Sequence, residues 1–189
     1  MEKKIPVLVS ARHLHLSQDV VDILFGKGHK LEPATPTKGQ FLSTTRVKVI
    51  GPKNTMENVA IMGPCRNFSQ FEISMTDTRA LGIPAPLRMS GDIEGTPGVK
   101  LVGTVGEIEL DKGVIVAKRH IHLAKDVAEE MGINDGECVM LKVESDGRAL
   151  IFDDIIARVG GPESAVHIDT DEGNSACVIK GTTGTIIKK

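Results

Sequence analysis

Four of the chain's six histidines fall in two His-x-His pairs, His13/His15 and His120/His122. In an extended strand, alternate side chains project to the same face. The two imidazoles of each pair therefore point together, roughly 6.5–7 Å apart along the backbone. Leu14 and Ile121, the residues between them, point the opposite way. Two neutral imidazoles on one face can chelate a metal ion through their ring nitrogens. A catalytic ion usually takes three protein ligands and keeps one position open, so each pair needs one more donor.

The pairs belong to a repeat that supplies that donor. The segment VLVSARHLHLSQDV at Val7–Val20 recurs as VIVAKRHIHLAKDV at Val114–Val127, an offset of 107 residues (114 minus 7). In the second half the remaining histidine is His167; the aligned segment of the first half places Glu72 opposite it. Both have apolar neighbours and both follow a Gly-Pro turn. The expected ligand sets are His13/His15/Glu72 and His120/His122/His167. Nitrogen-rich sets with one carboxylate suit zinc, with cobalt, nickel or iron as substitutes. His29 lies in a Gly-rich loop and reads as a surface residue.

Arg66 stands six residues before Glu72 and, along an extended segment, reaches the same pocket. A guanidinium beside a metal is a phosphate or carboxylate site. Arg12 and Arg119 precede the His pairs and, by alternation, face away from the ligands, as salt-bridge formers. Lys53 sits in a turn. Cys65, beside Arg66, offers a nucleophile that metal-and-arginine chemistry does not require; Cys138 and Cys177 read as core residues. Asp169 and Asp171 are placed to orient ligands beside His167.

Positioning these residues takes many short strands. Strands are expected at residues 5–10, 47–50, 59–61, 70–74, 114–117, 138–143, 149–152, 155–159, 165–168 and 177–179. Short helices are expected from about Ser17 to Phe25 and at about 125–131, stopped by Gly26 and Gly132. The fold class is mainly β with short helices: two similar barrels or sandwiches from an internal duplication. With 23 basic and 25 acidic side chains and a net charge of −2, no basic surface for nucleic acid is expected. The chain has no Trp or Tyr and five Phe, which argues against stacking platforms for bases or sugars. No apolar run approaches the roughly 20 residues of a membrane helix. Three dispersed cysteines suit a reducing, cytoplasmic setting. The first strand starts within a few residues of Met1, so no signal peptide is expected.

Taken together, the motifs VSARHLHL at Val9–Leu16, Gly51-Pro52-Lys53, Gly63-Pro64-Cys65-Arg66, QFEIS at Gln70–Ser74, Thr76-Asp77, Leu81-Gly82-Ile83, Ser90-Gly91-Asp92, RHIHL at Arg119–Leu123, LIFD at Leu150–Asp153 and HIDTDE at His167–Glu172 resemble the PduL-type phosphotransacylases over nearly the whole chain. That family interconverts acyl-CoA plus phosphate and acyl phosphate plus CoA. The resemblance implies two β-barrels with short helical caps, a two-metal centre between them, usually of zinc, and a first strand exchanged into the C-terminal barrel. Residues 12–113 would form one barrel, and 114–189 with strand 2–11 the other; the N-terminal extension that directs some members of the family into a microcompartment is not expected here, since the first strand starts within a few residues of Met1. It implies metal ligation by His13, His15, Glu72, His120, His122 and His167, phosphate binding by Arg66, CoA contacts at Val9, Ser10, Ala11, Lys53 and Asn174, and a homodimer. Two positions depart from the family pattern: Ala60 stands where an Arg that contacts CoA is common, and Ala11 where Asn is common. The expected reaction is transfer of an acetyl or propanoyl group between CoA and phosphate. The competing chemistries are a two-metal hydrolase of thioesters or phosphoesters and a non-catalytic metal- or nucleotide-binding module; an anion clamp beside the metals speaks against the last.

Overall fold

A computed structural model of the chain describes residues 3–36, 39–161 and 163–189. The strands, in chain order, are β1 (Lys4–Ser10), β2 (His13–Ser17), β3 (Phe41–Ile50), β4 (Thr55–Arg66), β5 (Gln70–Ile73), β6 (Leu87–Arg88), β7 (Val99–Val102), β8 (Glu107–Leu110), β9 (Val114–Ala117), β10 (His120–Leu123), β11 (Cys138–Val143), β12 (Leu150–Val159), β13 (Ala165–Asp169) and β14 (Thr183–Lys188). Four short helices accompany them: α1 (Gln18–Phe25), α2 (Met75–Leu81), α3 (Lys125–Met131) and α4 (Thr170–Ser175). The fold is mainly β. No helix among the described residues is long and apolar enough to cross a membrane.

The chain divides into two compact units, one of Met1–Ala11 with Lys118–Lys189, the other of Arg12–Ala117. The first is a closed barrel in the order β1-β13-β10-β12-β11-β14. β1 runs parallel to β13, Val7 opposite Val166, and antiparallel to β14, Ile5 opposite Gly184. Its alternation sends Ile5 and Val7 inward against Ile121, Leu141, Ile155 and Val166. Each such apolar side chain contributes about 1.5–3 kcal/mol when removed from water. Glu2 and Pro162, assigned above to the first strand and to a Gly-Pro turn, lie outside the described residues.

The second unit is an eight-stranded sheet, β6-β9-β5-β2-β4-β3-β7-β8. Where the sequence suggested a second closed barrel, these strands form an open order with β6 and β8 at its ends. β2 lies near the middle, antiparallel to β5 and parallel to β4. Leu14 and Leu16 drop from it into a core with Val21 and Leu24 of α1, Ile61 of β4 and Phe71 of β5. The strand at 114–117, assigned above to the second half, pairs as β9 with β5 and β6.

Three local expectations change. Residues 177–179 are not a strand; the last strand is β14. The two strands expected at 149–152 and 155–159 are one, β12, in which Asp154 takes a φ of 56° and the register against β11 shifts between Val139 and Leu141. An extra residue absorbed in a bulge keeps pairing on both sides. Helices α2 and α4 occupy stretches that sequence periodicity left without helix.

Candidate active site

β2 presents His13 and His15 on one face while Leu14, fully buried, fills the core behind them. The antiparallel register sets His13 opposite Glu72 and His15 opposite Gln70. His13 Nε2 is 3.6 Å and His15 Nε2 3.8 Å from the Glu72 carboxylate oxygens. The three donor atoms all lie within 4.8 Å of one another. A tetrahedral ion roughly 2.0–2.2 Å from each ligand separates its donors by about 3.3–3.6 Å, so this set fits a divalent metal. Burial, aided by the charge of Arg66 and by His13, pushes the His15 imidazole down to about 3. At neutral pH His15 is therefore uncharged, the form that ligates a metal.

The barrel unit repeats this register. His120 and His122 point from β10, and His120 faces His167 across the antiparallel β10–β13 pair, as His13 faces Glu72. The ring centroids are 5.1 Å apart for His120–His122, 5.1 Å for His120–His167 and 5.3 Å for His122–His167. His120 Nδ1 lies 3.0 Å from the Lys118 carbonyl oxygen. A carbonyl can only accept, so Nδ1 carries the proton and Nε2 is left as a ligand atom. Burial, with His120 and Arg158, lowers the pKa of His122.

Arg66 ends β4 in the same unit as the first triad. Its guanidinium lies 5.6 Å from the Phe68 ring centroid and donates from Nη1 to Ser90 Oγ at 3.3 Å. Ser90 Oγ also accepts from Gln70 Nε2 at 3.0 Å, and Gln70 Nε2 donates to Glu72 Oε1 at 2.6 Å. A hydrogen-bonded path thus joins the Arg66 guanidinium to the Glu72 carboxylate. Arg12 and Arg119 do face other partners: Arg12 pairs with buried Asp77 at 2.8 Å, and Arg119 with Glu172 at 2.8 Å while lying over Phe152.

The expected CoA-contact residues divide between the units. Val9 and Ser10 end β1 opposite Ile168 and Asp169, and exposed Ala11 follows. Exposed Asn174 lies in α4, whose Gly173 packs so closely on Val9 that a Cβ there would stand 2.5 Å from Val9 Cγ2. Lys53 belongs to the other unit, in the turn between β3 and β4. Its N–H donates to the Leu81 carbonyl at 3.0 Å and its stem lies against Gly82. Ala60, where the family pattern has Arg, sits in β4 opposite His13.

A family model described as phosphate propanoyltransferase matches residues 6–180. Relatives of that name include one from Leptotrichia buccalis, 49% identical over 96% of this chain and 87% of its own length, and one from Clostridioides difficile, 46% identical over 100% and 91%. A third, from Thermotoga maritima, is 44% identical over 99% of this chain and 90% of its own. The chain belongs to the phosphate propanoyltransferase family.

Within this family member the remaining candidates sort by environment. His29 bonds Thr45 Oγ1 at 3.1 Å and packs on Phe25. Cys65 packs against the core and burial raises its thiol pKa, which disfavours a thiolate nucleophile. Cys138 is only partly buried, and Cys177 is exposed at a φ of 50°, so neither is a core residue as expected. Asp169 is engaged in a helix cap, accepting from the Glu172 N–H at 2.8 Å. Gln70 and Ser90 received no role from the sequence. Gln70 stands two residues from Glu72 and so shares its face, the one signal that could have drawn attention to it.

Proposed function

We propose that the chain catalyses metal-dependent exchange of a short acyl group, propanoyl or acetyl, between CoA and phosphate. The observation that carries this reading is the placement of Arg66 beside two clustered imidazoles, that of buried His15 uncharged, and a carboxylate. Membership of the phosphate propanoyltransferase family supports it. In this reading His13, His15 and Glu72 hold one divalent ion, and His120, His122 and His167 a second, with zinc the metal best suited to the donors. When bound, such ions polarise a thioester carbonyl and lower the basicity of a departing thiolate.

The chain's own residues supply the rest. Arg66 grips two phosphate oxygens with its planar fork and offsets the repulsion between phosphate and CoA. A phosphate oxygen attacks the thioester carbonyl carbon, the C–S bond breaks, and CoA leaves as a thiolate that takes a proton from solvent. Arg66, held by Ser90 and Phe68, is fixed before reaction, so little reorganisation is needed as charge moves. Val9, Ser10, Ala11, Lys53 and Asn174 contact CoA. A homodimer acting in the cytoplasm completes the proposal, and three free cysteines suit such a compartment.

The test is CoA release from propanoyl-CoA or acetyl-CoA with and without phosphate. Phosphate-dependent release with stoichiometric acyl phosphate is expected. Equal release without phosphate would make the chain a hydrolase.

A further inference from the structure

Gln70 is fully buried and uses its amide completely. Nε2 donates to Glu72 Oε1 at 2.6 Å and to Ser90 Oγ at 3.0 Å, while Oε1 accepts from the Gly91 N–H at 2.7 Å. The Gly91 bond settles the amide's orientation, because only the oxygen can accept from a backbone N–H. Both amide protons are thereby aimed at the carboxylate and the serine. Ser90 in turn is the acceptor for Arg66. One side chain thus fixes the Glu72 carboxylate and, through one hydroxyl, the arginine.

At the equivalent register position the other unit has no amide side chain. His15 faces Gln70 across β2–β5, whereas His122 at the matching place in β10–β13 faces Ala165. A histidine has one ring orientation to fix, and His120 has the Lys118 carbonyl for that. A carboxylate can rotate and can ligate through either oxygen. The only carboxylate among the six proposed ligands is the one that has a buried amide donating to it. A methyl side chain suffices where the third donor is an imidazole.

We infer that Gln70 is a positioning residue: it locks the Glu72 carboxylate for the first metal and sets the distance from that metal to the phosphate held by Arg66. The inference rests on the metal reading above. Ligand-orienting hydrogen bonds of this kind typically carry 10- to 100-fold in metal affinity. Gln70→Met keeps the buried volume and removes every hydrogen bond of the amide. Gln70→Asn keeps the amide but draws it back by one methylene, and serves if the Met variant fails to fold.

Zinc-loaded wild type and variant are titrated with a competing chelator, and the melting temperature of each metal-free protein is recorded. Wild type should hold roughly two zinc ions per chain. The variants should release one of them at about 10- to 100-fold lower chelator concentration and keep the other as wild type does. Their KM for inorganic phosphate should rise as well. A variant that melts lower without metal but binds both ions and phosphate like wild type would reduce Gln70 to packing and overturn the inference. Wild type that binds no zinc would overturn the metal reading, and the inference with it.

Discussion

Imidazoles two apart on a strand are legible from sequence because the strand period is two, and both His pairs have the shared face that this period implies. Glu72 and His167 followed from repeat alignment, and each faces the first histidine of its pair. Gln70 and Ser90 were not legible as a linkage. Their meeting depends on how the segment at 90–91 folds back on β5, which no spacing records. Arg66 can be tested on its charge and shape. Lysine keeps the charge and loses the fork, so Arg66→Lys should raise the KM for phosphate and lower turnover, by roughly 10- to 1000-fold in kcat/KM. If Arg66 only braced its turn, the variant would melt lower with unchanged phosphate kinetics. His15 gives a pH prediction. Its imidazole titrates near 3 when folded and near 6.5 when unfolded. Between those values the unfolded chain binds more protons, so stability falls as pH drops from about 6.5 towards 3. Melting of the metal-free protein from pH 7 to 4 should fall more steeply for wild type than for His15→Gln; equal slopes would refute the burial argument.

At the scale of elements, strands were easier to find than helices α2 and α4. Each of these is six or seven residues long, too short to show a 3.6-residue apolar period. Both are fixed by reciprocal caps instead: Ser74 with Asp77, and Asp169 with Glu172. These are the Ser/Asp-x-x-Asp/Glu signatures that sequence offers in place of periodicity. Asp77 has a second task as the buried partner of Arg12, the residue before His13. Ser74→Ala should therefore cost about 0.5–2 kcal/mol. Asp77→Ala should cost more, about 1–3 kcal/mol, because it removes both the cap and the ion pair. Urea unfolding of the metal-free protein measures both; equal costs would show that the Arg12 pair contributes nothing. β12 was misread as two strands because Asp153 and Asp154 resemble a turn, whereas the backbone takes up the extra residue as a bulge.

At the scale of the whole chain, β1 precedes the first His pair yet pairs with β13 and β14 of the C-terminal barrel, and β9 pairs within the Arg12–Ala117 unit. Apolar pattern identifies both as strands but cannot say which partners they take, since pairing with a strand distant in sequence leaves no local trace. The two units nonetheless share one register around their histidine pairs, and this supports the proposal of one divalent ion per triad. The direct measurement is the metal content per chain, recorded together with turnover of propanoyl-CoA and phosphate on the same preparation, in wild type, His13→Ala and His120→Ala. The account predicts roughly two ions in wild type and roughly one in each variant, with activity lost in both. Full activity in protein free of transition metal would contradict it.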